Sequence, residues 1–287
     1  MVLVRDFGGV AIGIAAIAGL LALLYADVVR DMAIQWWDDP NYSHGFLIPL
    51  FSAYVVWERR EHLRALPPAG SPWGLGLLAG AMSLLVLGVI GGENFLMRSS
   101  LIVAIAGLVL FHRGRPTLAA IAFPILFLFF MVPLPAIAFN AIAFPLQGLA
   151  AKNATWTIEQ LGMPVLRDGN VIHLSQISLG VTEACSGIRS LVSLLALAVV
   201  WAYLTLPGAL SMAVLVLASV PITILANAAR IVLTALIGQW FGVEYAQGFF
   251  HAFSGWLIFI VAFLCLLAVH ALLSLGRSLR QPATGPA

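Results

Sequence analysis

Apolar positions along this chain come in long runs, broken by short polar knots. Runs of eighteen or more apolar residues are long enough to cross a bilayer as helices, and they recur along the whole length. The pattern predicts helix 1 over about 8–26, helix 2 over 45–57, helix 3 over 73–90, helix 4 over 95–111 and helix 5 over 117–134. Helix 6 follows over 185–203, helix 7 over 209–236 and helix 8 over 250–274. Helix 1 reads as a retained span, since no A-x-A cleavage pattern ends it. The knot at 27–44 is a polar, aromatic loop whose Trp36, Trp37 and Tyr42 suit a membrane interface.

Between Pro135 and Gly180 the texture changes. Residues 136–161 are apolar but interrupted by Asn140, Gln147, Lys152, Asn153, Thr155, Glu159 and Gln160. That suits amphipathic helices lying on the membrane or against the bundle. Residues 164–180 alternate around Asp168–Gly169, a hairpin signal. The fold class is therefore an all-α polytopic membrane protein. It has about eight transmembrane helices, with an extracytoplasmic amphipathic and hairpin insertion before helix 6. No internal repeat is evident, and residues 1–287 read as one transmembrane domain.

Composition agrees. The chain is 62% hydrophobic and 9% charged, with mean hydropathy +1.03. A soluble domain carries about 25% charge. No basic run points to nucleic acid. With eight helices, Arg5, Arg59, Arg60, Arg64, Arg113, Arg115, Arg277 and Arg280 fall on one side. The positive-inside rule makes that side the cytoplasm. Both termini are then inside, and 27–44, 135–184 and 237–249 are outside.

Three chemical groups converge in depth at the outer rim. Cys185, in VTEACSGIRSL, begins helix 6. Arg230, in LANAARIVL, lies about six residues, roughly 9 Å, below the outer end of helix 7. His251, in GFFHAFSGW, opens helix 8. A thiol at a helix N-terminus is biased toward thiolate by the helix dipole. A guanidinium lowers its pKa further or stabilises an oxyanion. A histidine can take the thiol proton and return it to a leaving amine. The N–H groups of Ser186 and Gly187 could add oxyanion donors.

Plainer readings stand beside these. Cys185 could be structural, and Arg230 could pair with Glu183 or Glu244. His251 could be an interfacial histidine, and Arg189 could pair with Glu183. Asn227, three residues before Arg230, could orient it or bridge helices. His44, in PNYSHGF, could touch a substrate or cap helix 2. His44 and His173 with His251 lack the spacing of a zinc site, so no metal and no cofactor are expected. The other cysteine, Cys265, lies roughly 21 Å past His251 along helix 8. It cannot reach Cys185 and reads as a small buried hydrophobe.

Five stretches together resemble the exosortase/archaeosortase family: PNYSHGFLIPL, GMPVLRDGNVIHL, EACSGIR, NAAR and the His251-x-x-x-Gly255 opening of the last helix. They occur in matching order over roughly residues 36–275. The resemblance implies a multi-pass membrane cysteine transpeptidase with Cys185, Arg230 and His251 as its catalytic residues. It implies a bacterial exosortase, since archaeal relatives tend to carry arginine at the third position. Implied substrates are exported proteins with a C-terminal PEP-CTERM-type signal: a short motif, a transmembrane helix and a basic tail. The implied setting is the bacterial inner membrane, among lipid, with the site outside and a surface acceptor of unknown nature. A hydrolytic endopeptidase with the same site, or a transporter or assembly scaffold with a polar intramembrane path, is the alternative.

Overall fold

In the computed structural model, which describes residues 7–181, 187–246 and 249–278, the apolar runs are helical almost throughout. The chain divides into two compact units, Met1–Pro135 and Ala136–Ala287.

The first unit contains α1 (Phe7–Leu24), α2 (Ala26–Asp38), a 3-10 turn (Ser43–Phe46), α3 (Leu47–Glu58) and α4 (Arg60–Ala65). After them come α5 (Trp73–Gly91), α6 (Asn94–Arg113), α7 (Arg115–Ala120), α8 (Ala122–Phe127) and a second 3-10 turn (Leu128–Met131). Most of the expected 27–44 loop is therefore the helix α2. Met32 and Trp36, one turn apart, bury one face of it. Trp36 is not an interface anchor: its Nε1–H donates to the Met131 carbonyl at 2.9 Å. Its ring packs edge-on against Phe46, with centroids 5.1 Å apart. A Cβ added at Gly45 would overlap this indole. Trp37 is 82% exposed.

The expected helix 5 is broken. Pro124 has no N–H, and its ring crowds the carbonyl four residues back, so the helix interrupts at Ile121. The freed Ala120 carbonyl accepts from Arg59 Nη1 at 2.9 Å. Arg113 Nη2 likewise donates to the Leu63 carbonyl at 2.7 Å. The ends of α3, α4 and α6 thus meet, and Arg60, Arg64 and Arg113 form a basic rim on one groove.

The helices α5 and α6 form a tight hairpin. Gly74, Ala81 and Gly88 recur every seven residues along the buried face of α5: Gly74 lies against Phe111 and Gly107 of α6, Ala81 shares a core cluster with Ala104, and Gly88 lies against Met97. Small residues let helix backbones approach closely inside a membrane. Gly92, at φ 63°, ends α5, and the Glu93 carboxylate accepts from the Phe95 N–H to open α6.

The second unit opens with one 25-residue helix, α9 (Ala136–Gln160). Its buried residues Ala143, Gln147, Ala150, Ala151, Ala154, Thr155 and Ile158 share one face, as amphipathic patterning requires. The hairpin follows: β1 (Val165–Asp168) pairs antiparallel with β2 (Val171–Leu174), and β3 (Ser178–Gly180) adds to β2. Gly169, at φ 59°, makes the turn. Ile172 and Val181 from this region, Ala151 and Ile158 of α9, and Ile231 and Ala235 of the next long helix close one core. The remaining helices are α10 (Ile188–Thr205), α11 (Ala209–Phe241), the short α12 (Val243–Ala246) and α13 (Phe249–Ser278). Leu194, Ala198, Leu215, Ala262 and Leu266 knit α10, α11 and α13 into a second core.

Five described helices are long and apolar enough to cross a membrane: α5, α6, α10, α11 and the 253–275 part of α13. The count is six if 122–131 and 136–160 make one broken span. A polytopic, mainly helical membrane fold stands, but the expected count of eight is not reached among the described residues. Cys265 departs from expectation: it is exposed on α13 rather than buried. Ala262 and Leu266 take the packed face, and position 265 turns about 100° away from Leu266.

Candidate active site

The first described turn of α10 starts from a glycine. Gly187 occupies the N-cap in the left-handed region, φ 79°, which costs glycine little and other residues roughly 1–2 kcal/mol. Its carbonyl accepts from the Leu191 N–H at 2.8 Å, closing the first turn. The described part of the helix begins at Ile188, and the expected start at Cys185–Ser186 falls just before it. Cys185, Glu183 and Ser186 lie outside the described residues. Arg189 is exposed on this first turn. His251 belongs to the first turn of α13, as expected for a residue opening the last helix; its side chain lies outside the described set.

Ser219, Thr223, Asn227 and Arg230 form a polar seam along one face of α11, all buried. Their spacing of four, four and three residues keeps them in line. The Ser219 and Thr223 hydroxyls donate back to the carbonyls of Val216, at 2.6 Å, and Ser219, at 2.8 Å. Asn227 lies against Gly187: a Cβ there would come within 2.9 Å of the Asn227 side chain. Arg230 lies against Gly255: its Nη1 is 3.5 Å from where a Cβ would stand. Gly255 is one turn beyond His251. A void of about 10 Å³ lies here, with Ser190, Thr223, Asn227, Arg230 and Gly255 among its walls. One water at most fits such a space.

Arg230 is deeper in its helix than the spacing predicts. No breaker follows until Gly242, at φ 101°, so α11 continues to Phe241. Arg230 lies eleven residues from that end, about 16 Å rather than 9 Å.

His44 belongs to the first unit. Its Nε2 donates to the Phe130 carbonyl at 3.1 Å, holding the Ser43–Phe46 turn to the second 3-10 turn rather than capping α3. Burial pushes its pKa below 6.5, partly offset by that carbonyl. His173, on β2, shares a 2.8 Å hydrogen bond with the Ser178 hydroxyl. Among the described residues, no three of His, Cys, Asp or Glu could share an ion.

Sequence reasoning missed Arg98. It sits early in α6, 5% exposed, and its Nη1 donates to Gln35 Oε1 at 2.6 Å. The signal was present: a charge inside an apolar run is costly enough to need a partner. Nearby, the Tyr25 and Ser100 hydroxyls lie 3.0 Å apart in a hydrogen bond, a second tie from the start of α2 to α6.

The polar seam of α11, the glycine N-cap of α10 and the opening of α13 all lie within residues 36–268, the part of the chain matched by the model of the transmembrane exosortase family. The chain belongs to that family. Membership supports a membrane transpeptidase role in general. No curated protein and no solved structure matches the chain. In this exosortase, the described part of the candidate site is the buried Asn227 and Arg230 between Gly187 and Gly255, each glycine flanking a segment that carries a candidate catalytic residue.

Proposed function

We propose that this exosortase is a cysteine transpeptidase using Cys185, Arg230 and His251 at the extracytoplasmic membrane boundary of a bacterial inner membrane. Its substrates are exported proteins bearing a C-terminal sorting signal of the PEP-CTERM type. The observation that carries the reading is the pair of glycine contacts on one face of α11. Asn227 meets Gly187, and Arg230 meets Gly255. Two residues of chain bring the Cys185 Cα within about 7 Å of Gly187. His251 is one turn, about 6 Å, from Gly255.

The substrate helix docks laterally, with its basic tail inside and its motif at the outer rim. Cys185 thiolate attacks the scissile carbonyl, while the Arg230 guanidinium stabilises the developing oxyanion. Asn227 positions that guanidinium from the adjacent turn. The C–N bond breaks, and the leaving amine takes the proton held by the His251 imidazolium. An acceptor amine attacks the thioester, gives its proton to the imidazole and frees the thiolate. Glu183, Ser186 and Arg189 support the cysteine segment.

Co-expression with tail-bearing substrates tests this. Cys185→Ala should leave full-length substrate; normal processing in that variant sinks the mechanism. Arg230→Lys should also abolish processing, because a point charge does not reproduce the planar fork. Mass spectrometry of the new C-terminus distinguishes transfer, seen as an acceptor adduct, from hydrolysis, seen as a free carboxylate.

A further inference from the structure

The first unit holds a groove of about 1020 Å³ that the chemistry above does not use. Leu101, Ile105 and Val109, on successive turns of α6, floor it, and its other walls, from α2, α3 and α8, are mainly apolar. Arg60, Arg64 and Arg113 gather at one end, and no acidic residue is among the lining residues described.

The arginines are held there by separate contacts. The Arg60 guanidinium lies 4.4 Å from the Trp57 ring centroid. Its neighbour Glu61 is a weak counter-charge, 3.9 Å away and 85% exposed. Arg113 donates to the Leu63 carbonyl at 2.7 Å. Arg64 is exposed at the rim. From Leu101 to Arg113 the groove follows α6 for about 18 Å. That is slightly more than one leaflet of hydrocarbon, about 15 Å.

We propose that this groove binds one anionic phospholipid, with an acyl chain along α6 and the phosphate on the arginine rim. The apolar length matches a lipid chain, and the rim matches a headgroup phosphate, for which guanidinium is the preferred donor. A sorting-signal helix with a basic tail at that end would set like charges together. A zwitterionic lipid would bring its own cation to the same rim.

The purified full chain in a neutral detergent provides the test. Phosphatidylglycerol, phosphatidylcholine and glycerol 3-phosphate are added separately. Thermal unfolding and native mass spectrometry are then read. Phosphatidylglycerol should raise Tm and leave one lipid bound, whereas phosphatidylcholine and chain-free glycerol 3-phosphate should do neither. Arg60→Gln with Arg64→Gln should weaken phosphatidylglycerol binding about tenfold or more, the scale of a lost charged hydrogen bond. Arg64→Glu alone, at the exposed rim position, gives the same direction if the double variant folds poorly. Arg115→Gln, outside the groove, should leave binding intact. Equal retention of both lipids, insensitivity to the Arg60 and Arg64 changes, or preferred displacement by a basic-tailed transmembrane peptide overturns the proposal.

Discussion

At the residue scale, Gly187 sets the described start of α10. An alanine there meets both an unfavourable φ of 79° and the Asn227 side chain. The backbone part alone costs about 1–2 kcal/mol. Gly187→Ala should therefore keep helical content while sharply reducing substrate processing, read by circular dichroism and immunoblot of one preparation. Unchanged processing would detach Asn227 from the site. His44 gives a pH signature of its own. Its folded pKa lies below the ordinary 6.5, so the unfolded chain takes up the proton first as pH falls. The stability from keeping His44 neutral is thus full above about 6.5 and is lost as pH drops through the window beneath it. Tm of the detergent-solubilised protein should fall between pH 7.5 and 5.5, and His44→Gln should flatten that slope.

At the scale of elements, the close α5–α6 hairpin predicts intolerance of bulk. A Cβ at Gly107 already lies 3.0 Å from the Leu78 side chain and 3.2 Å from the Gly74 carbonyl. Gly107→Leu should destabilise by about 1–3 kcal/mol, the cost of overpacking, seen as a lower Tm. On α13, Cys265→Leu should change stability by less than about 0.5 kcal/mol, whereas Leu266→Ala should cost about 2–5 kcal/mol. A large penalty at Cys265 would mean the residue is covered. The same elements show what the sequence could reveal. Long apolar runs located α5, α6, α10, α11 and α13, because length and hydropathy alone decide membrane crossing. Asp168–Gly169 located the hairpin, because only a turn uses that pair between alternating residues. The helix α2 was hidden: its polar face carries Asp27, Arg30, Asp31 and Gln35, and its burial of Trp36 depends on Met131, ninety-five residues away. The break at Ile121 was marked by Pro124, but the arginine that satisfies the freed carbonyl comes from the end of α3. At the site, Arg230 and Asn227 were legible because charge and amide are costly in a membrane helix. Gly187 and Gly255 acquire meaning only once Asn227 and Arg230 are seen against them.

At the scale of the whole molecule, the proposed mechanism needs the hairpin and the basic rim on opposite sides of the membrane. Single cysteines at Ser175 and Arg115, both exposed, in a Cys185→Ala, Cys265→Ser background test it. An impermeant maleimide added to spheroplasts should label the Ser175 position and reach the Arg115 position only after lysis. The reverse pattern would move the site to the cytoplasm and end the reading of exported substrates.

The void beside Arg230 bears on how an acyl-enzyme would be resolved. If the proposed thioester forms beside Arg230, a space of about 10 Å³ leaves room for one water at most on that flank. In the proposed reaction, the acceptor amine would then compete with little water on that flank. Ligation over wasteful breakdown then becomes a matter of who queues at the exit, and widening that chamber should shift product toward the free acid.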